Sequence, residues 1–214
     1  MKLNQSNLLT LTSLLIGYIF LHLILVEGLP VDLNELFKSF SQKGPIIILY
    51  FLVMLVLPVV SGSIPRGAKE AIIFWRITER LPGYRAFSQY AYSDYRIDGQ
   101  PFIDSIGGIP ESPKAQNDLW YRMYNRFEAD DRVRASNKMY LLYRDLGAIT
   151  VLTIVLSLIV YLFRTGDKNG FIAFQMVLGF MYAVSVVGGQ VYARKLVQQV
   201  LALEYAEGQQ NAAN

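Results

Sequence analysis

The stretch LGAITVLTIVLSLIVYLF, Leu146 to Phe163, decides the fold, because it carries no Asp, Glu, Lys or Arg. Seven residues after it, FIAFQMVLGFMYAVSVVGGQVYA runs from Phe171 to Ala193, again without a charge. So short a connection, Arg164 to Gly170, predicts an antiparallel helical hairpin. Upstream lie two more uncharged stretches, Leu8 to Val26 and Ile46 to Gly62. The first, at about 1.5 Å per residue, would be roughly 28 Å long, close to the roughly 30 Å of a bilayer's hydrocarbon core. The second is shorter and holds Pro58, which removes a helix hydrogen bond and predicts a kink near its end. Each stretch must be helical, because lipid offers no partner for a free backbone N–H or C=O.

All 37 charged side chains lie outside these four stretches. Charged residues make up 17% of the chain and hydrophobic ones 53%, against roughly 25% charged in ordinary soluble domains. This excludes an ordinary soluble globule and a disordered chain. The expected fold is all-α: a polytopic membrane protein with four transmembrane helices and a helical, aromatic-rich cytoplasmic insertion. The expected divisions are a hairpin over 1–63 with external loop 27–45, the insertion at 64–145, a second hairpin at 146–193 and a tail at 194–214. Stretch 8–26 is longer than the apolar core of a signal peptide and no A-x-A site follows it, so a retained span is expected.

Lysine and arginine near the span ends set the orientation. With the N-terminus cytoplasmic, eleven of them flank the inside and four, Lys38, Lys43, Arg164 and Lys168, the outside. Both termini and residues 64–145 are therefore expected inside, in a bacterial cytoplasmic membrane. In the external loop, Asp32 and Glu35 have the spacing of a capping box, and Leu33, Leu36, Phe37 and Phe40 follow at helical spacing.

Within the insertion, Pro65 opens a helix that runs to Leu81-Pro82-Gly83. Ala68, Ala71, Ile72 and Trp75 form its apolar stripe, with Lys69, Arg76 and Arg80 on a basic face. Residues 82–113 hold four prolines and four glycines, yet Tyr84, Phe87, Tyr90, Tyr92, Tyr95 and Phe102 crowd the same stretch. Disordered linkers are poor in aromatics, so an ordered, packed loop is expected. Asp98-Gly99 suits a hairpin turn, although Pro101 weakens the strand after it. Leu119, Trp120, Met123, Tyr124 and Phe127 form a helical ridge. Glu128 to Asp131 breaks the chain, and from Asp131 one helix is expected to continue through Leu146 into the membrane. The last residues, GQQNAAN, are expected to fray.

Composition and motifs exclude most chemistry. With no cysteine and one histidine, His22, neither thiol chemistry nor a multi-histidine metal site is available. His22 near the outer end of the first span is read as an interfacial or interhelical hydrogen-bonding group rather than a proton relay or haem ligand. No charge lies within a span, which disfavours ion-coupled transport. The DYRIDG segment fails as a calcium loop, because Arg96 occupies a ligand position and Ser105 replaces the bidentate Glu. Ser61-Gly62-Ser63 has no base on its side of the membrane. Residues 64–145 hold 13 basic and 11 acidic side chains, which is no footprint for nucleic acid. No catalytic residue, cofactor or metal is expected.

Three groups of candidate site residues remain. Gly179 with Ala183, and Ser185, Gly189 and Ala193, form small-xxx-small series suited to helix packing or oligomer formation. Tyr84, Phe87, Tyr90, Tyr92, Trp120 and Tyr124 are candidates for holding a cytoplasmic protein partner, or else the insertion's own core. Arg144 and Asp145 sit where the long helix meets the membrane, as anchor or hinge. The expected function is a non-enzymatic membrane subunit that self-associates and recruits or senses a cytoplasmic protein. Its partners would be the lipid bilayer, a second copy and that protein. The alternatives are a gated pore or membrane-disrupting effector of a prokaryotic defence or toxin system, and a membrane enzyme acting on lipid or nucleotide.

Overall fold

A computed structural model of the chain describes residues 5–30, 59–163 and 167–213, with 32, 35, 38, 44, 48, 52, 56 and 57 between them. Among these residues the structure is all-helical, with no strand. Helix α1 covers Gln5–Leu25, α2 Arg66–Phe74, α3 Gly99–Ser105, α4 Pro113–Phe127, α5 Asp131–Phe163 and α6 Lys168–Ala213. Between α2 and α3, Pro82–Arg85 forms a 3-10 turn, Ala86–Tyr90 a π turn and Ala91–Ser93 a single α turn.

Helices α5 and α6 are long and apolar enough to cross a membrane. Their 33 and 46 residues correspond to about 50 and 69 Å at about 1.5 Å per residue. Only 33% of the most apolar window of each is buried within the chain. The described apolar part of α1, Leu9–Leu25, is shorter. Stretch 46–62 falls mostly outside the described residues, as do Leu33, Leu36, Phe37 and Phe40. Of the capping box expected at Asp32 and Glu35, the Glu35 N–H donates to Asp32 Oδ1 over 3.3 Å.

The chain divides into two compact units. The first comprises Met1–Lys69 and Arg144–Val186. Its core joins Tyr18 and Val26 of the N-terminal segment to Phe171, Phe174 and Leu178 of α6. The His22 ring is buried with its edge on Phe174, centroids 4.9 Å apart. Tyr161 of α5 stacks on Phe171 of α6. Polar groups also join the helices. Tyr18 Oη and Thr150 Oγ1 lie 3.2 Å apart, and the Gln175 amide donates to Ser157 Oγ over 3.0 Å. Such bonds are worth about 0.6 kcal/mol each on average between helices in lipid. Asp167 caps α6 by accepting from the N–H of Gly170 and of Asn169.

The second unit comprises Glu70–Tyr143 and Val187–Asn214. Its main core gathers Phe87, Phe102, Trp120, Met123 and Val133 around Leu196, Val197, Val200 and Leu201 of α6. Residues 82–113 are therefore ordered and packed. The prolines start helical turns instead of breaking them. Pro82 and Pro113 occupy first-turn positions and Pro101 lies in the first turn of α3, where no N–H is needed. The hairpin at Asp98-Gly99 does not form, because Gly99 opens α3. Gln116 on α4 is buried, and its Oε1 accepts from the Phe87 and Ser88 N–H groups and the Ser88 hydroxyl. One side chain thus satisfies donors that the π turn leaves open. The Asp130 carboxylate accepts from the N–H groups of Arg132 and Val133, which starts α5 after the break at 128–130.

Two expectations about the helices are corrected. The terminal residues do not fray at Gly208; α6 continues to Ala213, where Gln209, Gln210, Ala212 and Ala213, good helix formers, outnumber Gly208 and Asn211. The buried face of α2 is Lys69, Glu70 and Ile73, while Ala68 and Trp75 are exposed. A charge partner for Lys69, described below, overrode the apolar stripe.

Candidate functional site

The six aromatic partner candidates divide by burial. Phe87, Tyr90, Trp120 and Tyr124 are buried, and Tyr84 is half-buried. Phe87 stacks with Phe102, and Trp120 with Tyr124 at 5.5 Å. Tyr205 of α6 meets the Phe102 face edge-on. Tyr92 is 48% exposed and its neighbour Tyr95 97%. The Tyr92 ring covers Gly99, and its hydroxyl donates to Gln100 Oε1. Most of these aromatics therefore build the insertion's core, and Tyr92 is the candidate left at its surface.

Electrostatics hold that surface in place. The Asp94 carboxylate is buried and bonded by Arg96 through Nη2 at 2.6 Å and Nε at 2.9 Å. Burial alone would raise its pKa. The Arg96 bonds outweigh burial and hold the carboxyl below its ordinary 3.8. A group whose folded pKa is depressed contributes fully above its unfolded value, and the contribution is lost as pH falls through the folded value. Asp94→Asn is expected to lower stability by about 1–2 kcal/mol at neutral pH. It is also expected to reduce the loss of stability below about pH 4. Denaturant unfolding of both proteins across that range checks this. On α5, the Arg132 side chain likewise lowers the Asp130 pKa. Arg126 of α4 pairs with Glu204 of α6.

The small residues of α6 face two ways. Ser185, Gly189 and Ala193 are buried. The Ser185 hydroxyl donates to the Met181 carbonyl. A Cβ on Gly189 would stand 2.7 Å from Ile73 Cγ2. Ala193 packs with Tyr140, Leu141 and Phe74. Beside Gly189, the Gln190 amide donates to the Ile73 carbonyl over 2.9 Å. Tyr143 lies against Gly188 and stacks on Tyr192. Gly179 and Ala183 are exposed, and nothing approaches Gly179 within 4 Å.

Arg144 and Asp145 are buried at 8% and 2% exposure. Asp145 Oδ1 accepts from Lys69 Nζ at 3.0 Å and from Arg144 Nη2 at 2.9 Å. Lys69 is itself buried, at 4%. The basic face of Lys69, Arg76 and Arg80 gives no sign of this trio, because Lys69 and Asp145 lie 76 residues apart. The second core element missed was the C-terminal part of α6. Its signal was present: Leu196, Val197, Val200 and Leu201 repeat the i, i+1, i+4, i+5 spacing seen in α4. No family model, no curated protein and no solved structure matches the chain.

Proposed function

We propose that this chain is a non-enzymatic integral membrane subunit that self-associates and holds a cytoplasmic protein partner. In this reading it spans the bilayer four times, with both termini and the insertion on the cytoplasmic side of a bacterial inner membrane. Support for the membrane part comes from α5 and α6, whose apolar windows stay two-thirds unburied within the chain. A soluble core helix would bury them. On α6, Gly179 and Ala183 share the exposed side chains' environment with Met176 and Phe180, at 66% and 68% exposure. Small residues there let a second copy approach closely.

The partner reading rests on one observation. The insertion buries Phe87, Tyr90, Phe102, Trp120 and Tyr124 in its core but leaves Tyr92 and Tyr95, like Trp75 and Tyr121, at least 47% exposed. Tyrosines of that kind are frequent interface anchors. Affinity purification in mild detergent, with mass measurement of the complex, tests both parts. The expected result is an oligomer carrying a stoichiometric protein that Tyr92→Ala/Tyr95→Ala releases without loss of the fold. A monomer with no bound protein would overturn the proposal.

A further inference from the structure

The second unit contains a cavity of about 300 Å³ with a strongly cationic lining, at the low end of the roughly 300–1,000 Å³ of small-molecule sites. Four elements converge on it. Arg76 comes from the connection after α2, Arg85 from the 3-10 turn, Gln89 and Tyr90 from the π turn, and Gln190 and Arg194 from α6. No Asp or Glu lines it.

Among the described residues, the arginines of this cavity share the want of a carboxylate partner with Arg80 and Arg122, but they alone line this cavity together. Arg96, Arg126, Arg132, Arg134 and Arg144 each pair with a carboxylate. Among the described residues, Arg76, Arg85 and Arg194 pair with none. Arg76 and Arg194 are exposed and Arg85 is half-buried, so water screens their mutual repulsion, while an anion among them would be attracted by all three. Each presents a planar fork of donors that matches the oxygens of phosphate. Beneath them, Tyr90 is buried, and burial raises its pKa despite the nearby Arg194 and Arg76. A tyrosine hydroxyl is protonated at neutral pH and can donate, and the Gln89 amide and the N–H of Gln190 not given to the Ile73 carbonyl add neutral donors.

We propose that this cavity binds a phosphate group, with Arg76, Arg85 and Arg194 as its charged ligands. The phosphate has two possible sources, an acidic phospholipid headgroup or a soluble phosphate. Two features fit the headgroup. Gln190 and Arg194 lie one turn apart where the uncharged stretch of α6 ends. Trp75 and Ile77, on either side of Arg76, are 72% and 83% exposed, and Trp beside Arg is the usual pairing at a cytoplasmic membrane surface. The headgroup source rests on the membrane reading above; the soluble source does not.

The test uses the full chain in detergent and in phosphatidylcholine nanodiscs. Binding of inorganic phosphate is measured in detergent, and retention of phosphatidylglycerol in nanodiscs containing it. Arg76→Gln/Arg194→Gln is compared with a charge-matched control outside the cavity, Lys114→Gln/Arg122→Gln. The proposal expects the cavity variant, with unchanged thermal unfolding, to lose at least about tenfold in apparent affinity for one probe. The control should lose none. Loss confined to phosphatidylglycerol assigns the headgroup, and loss with inorganic phosphate assigns a soluble ligand. Equal behaviour of wild type and cavity variant towards both probes would overturn the proposal, as would an equal loss in the control. Release of the chain from membranes by alkali would remove only the headgroup arm.

Discussion

Replacing Asp145 by alanine is expected to destabilise the protein by about 3–5 kcal/mol, the usual consequence of stripping one partner from a buried ion pair. Asp145 is the common acceptor of Lys69 and Arg144, and all three side chains are at most 10% exposed. Its removal leaves two buried cations without that compensation. The effect belongs to the unbalanced charge more than to the strength of the pair, since buried pairs often replace apolar residues at no gain. The double variant Lys69→Met/Asp145→Leu is therefore expected to recover much of the loss, although Arg144 still loses its bonds to Asp145. Reversible unfolding in detergent, read by helical circular dichroism, measures both. A loss below about 1 kcal/mol for Asp145→Ala would mean that water reaches the trio.

Gly170→Ala is expected to cost about 3 kcal/mol, at the upper end of overpacking changes. A Cβ at this position would overlap the Leu25 carbonyl oxygen. That oxygen belongs to the backbone at the end of α1, so no side-chain rotation relieves the clash. The end of α1 and the first turn of α6 must separate, which disturbs the nearby packing of Val26 on Phe171 and Phe174. Gly188→Ala meets the Tyr143 ring first, which can turn, and is expected to cost less. Thermal unfolding of the two variants side by side checks the order. Equal stability of Gly170→Ala and wild type would show that α1 does not approach α6 this closely.

Where local chemistry dominates, the sequence was a sufficient guide. Runs of uncharged residues longer than a soluble core requires marked α5 and α6. Asp130 and Ser112 are not singled out in the sequence, although both start helices as side-chain acceptors. The aromatic density of 82–113 indicated packing, because such residues are costly to leave in water. What escaped were contacts between residues far apart in the chain. Lys69 reads as a solvated charge until Asp145 stands beside it. The terminal segment of α6 reads as a tail until Phe102 and Val133 give its apolar side a partner. The arginines of the cavity are separated by up to 118 positions, from Arg76 to Arg194, and no spacing rule joins them.

The account depends on α5 and α6 residing in lipid. Extraction of the membranes with alkaline carbonate tests this most directly. The account predicts that the full-length chain stays in the sedimented membranes and is released only by detergent. Recovery of the chain in the carbonate supernatant would contradict it.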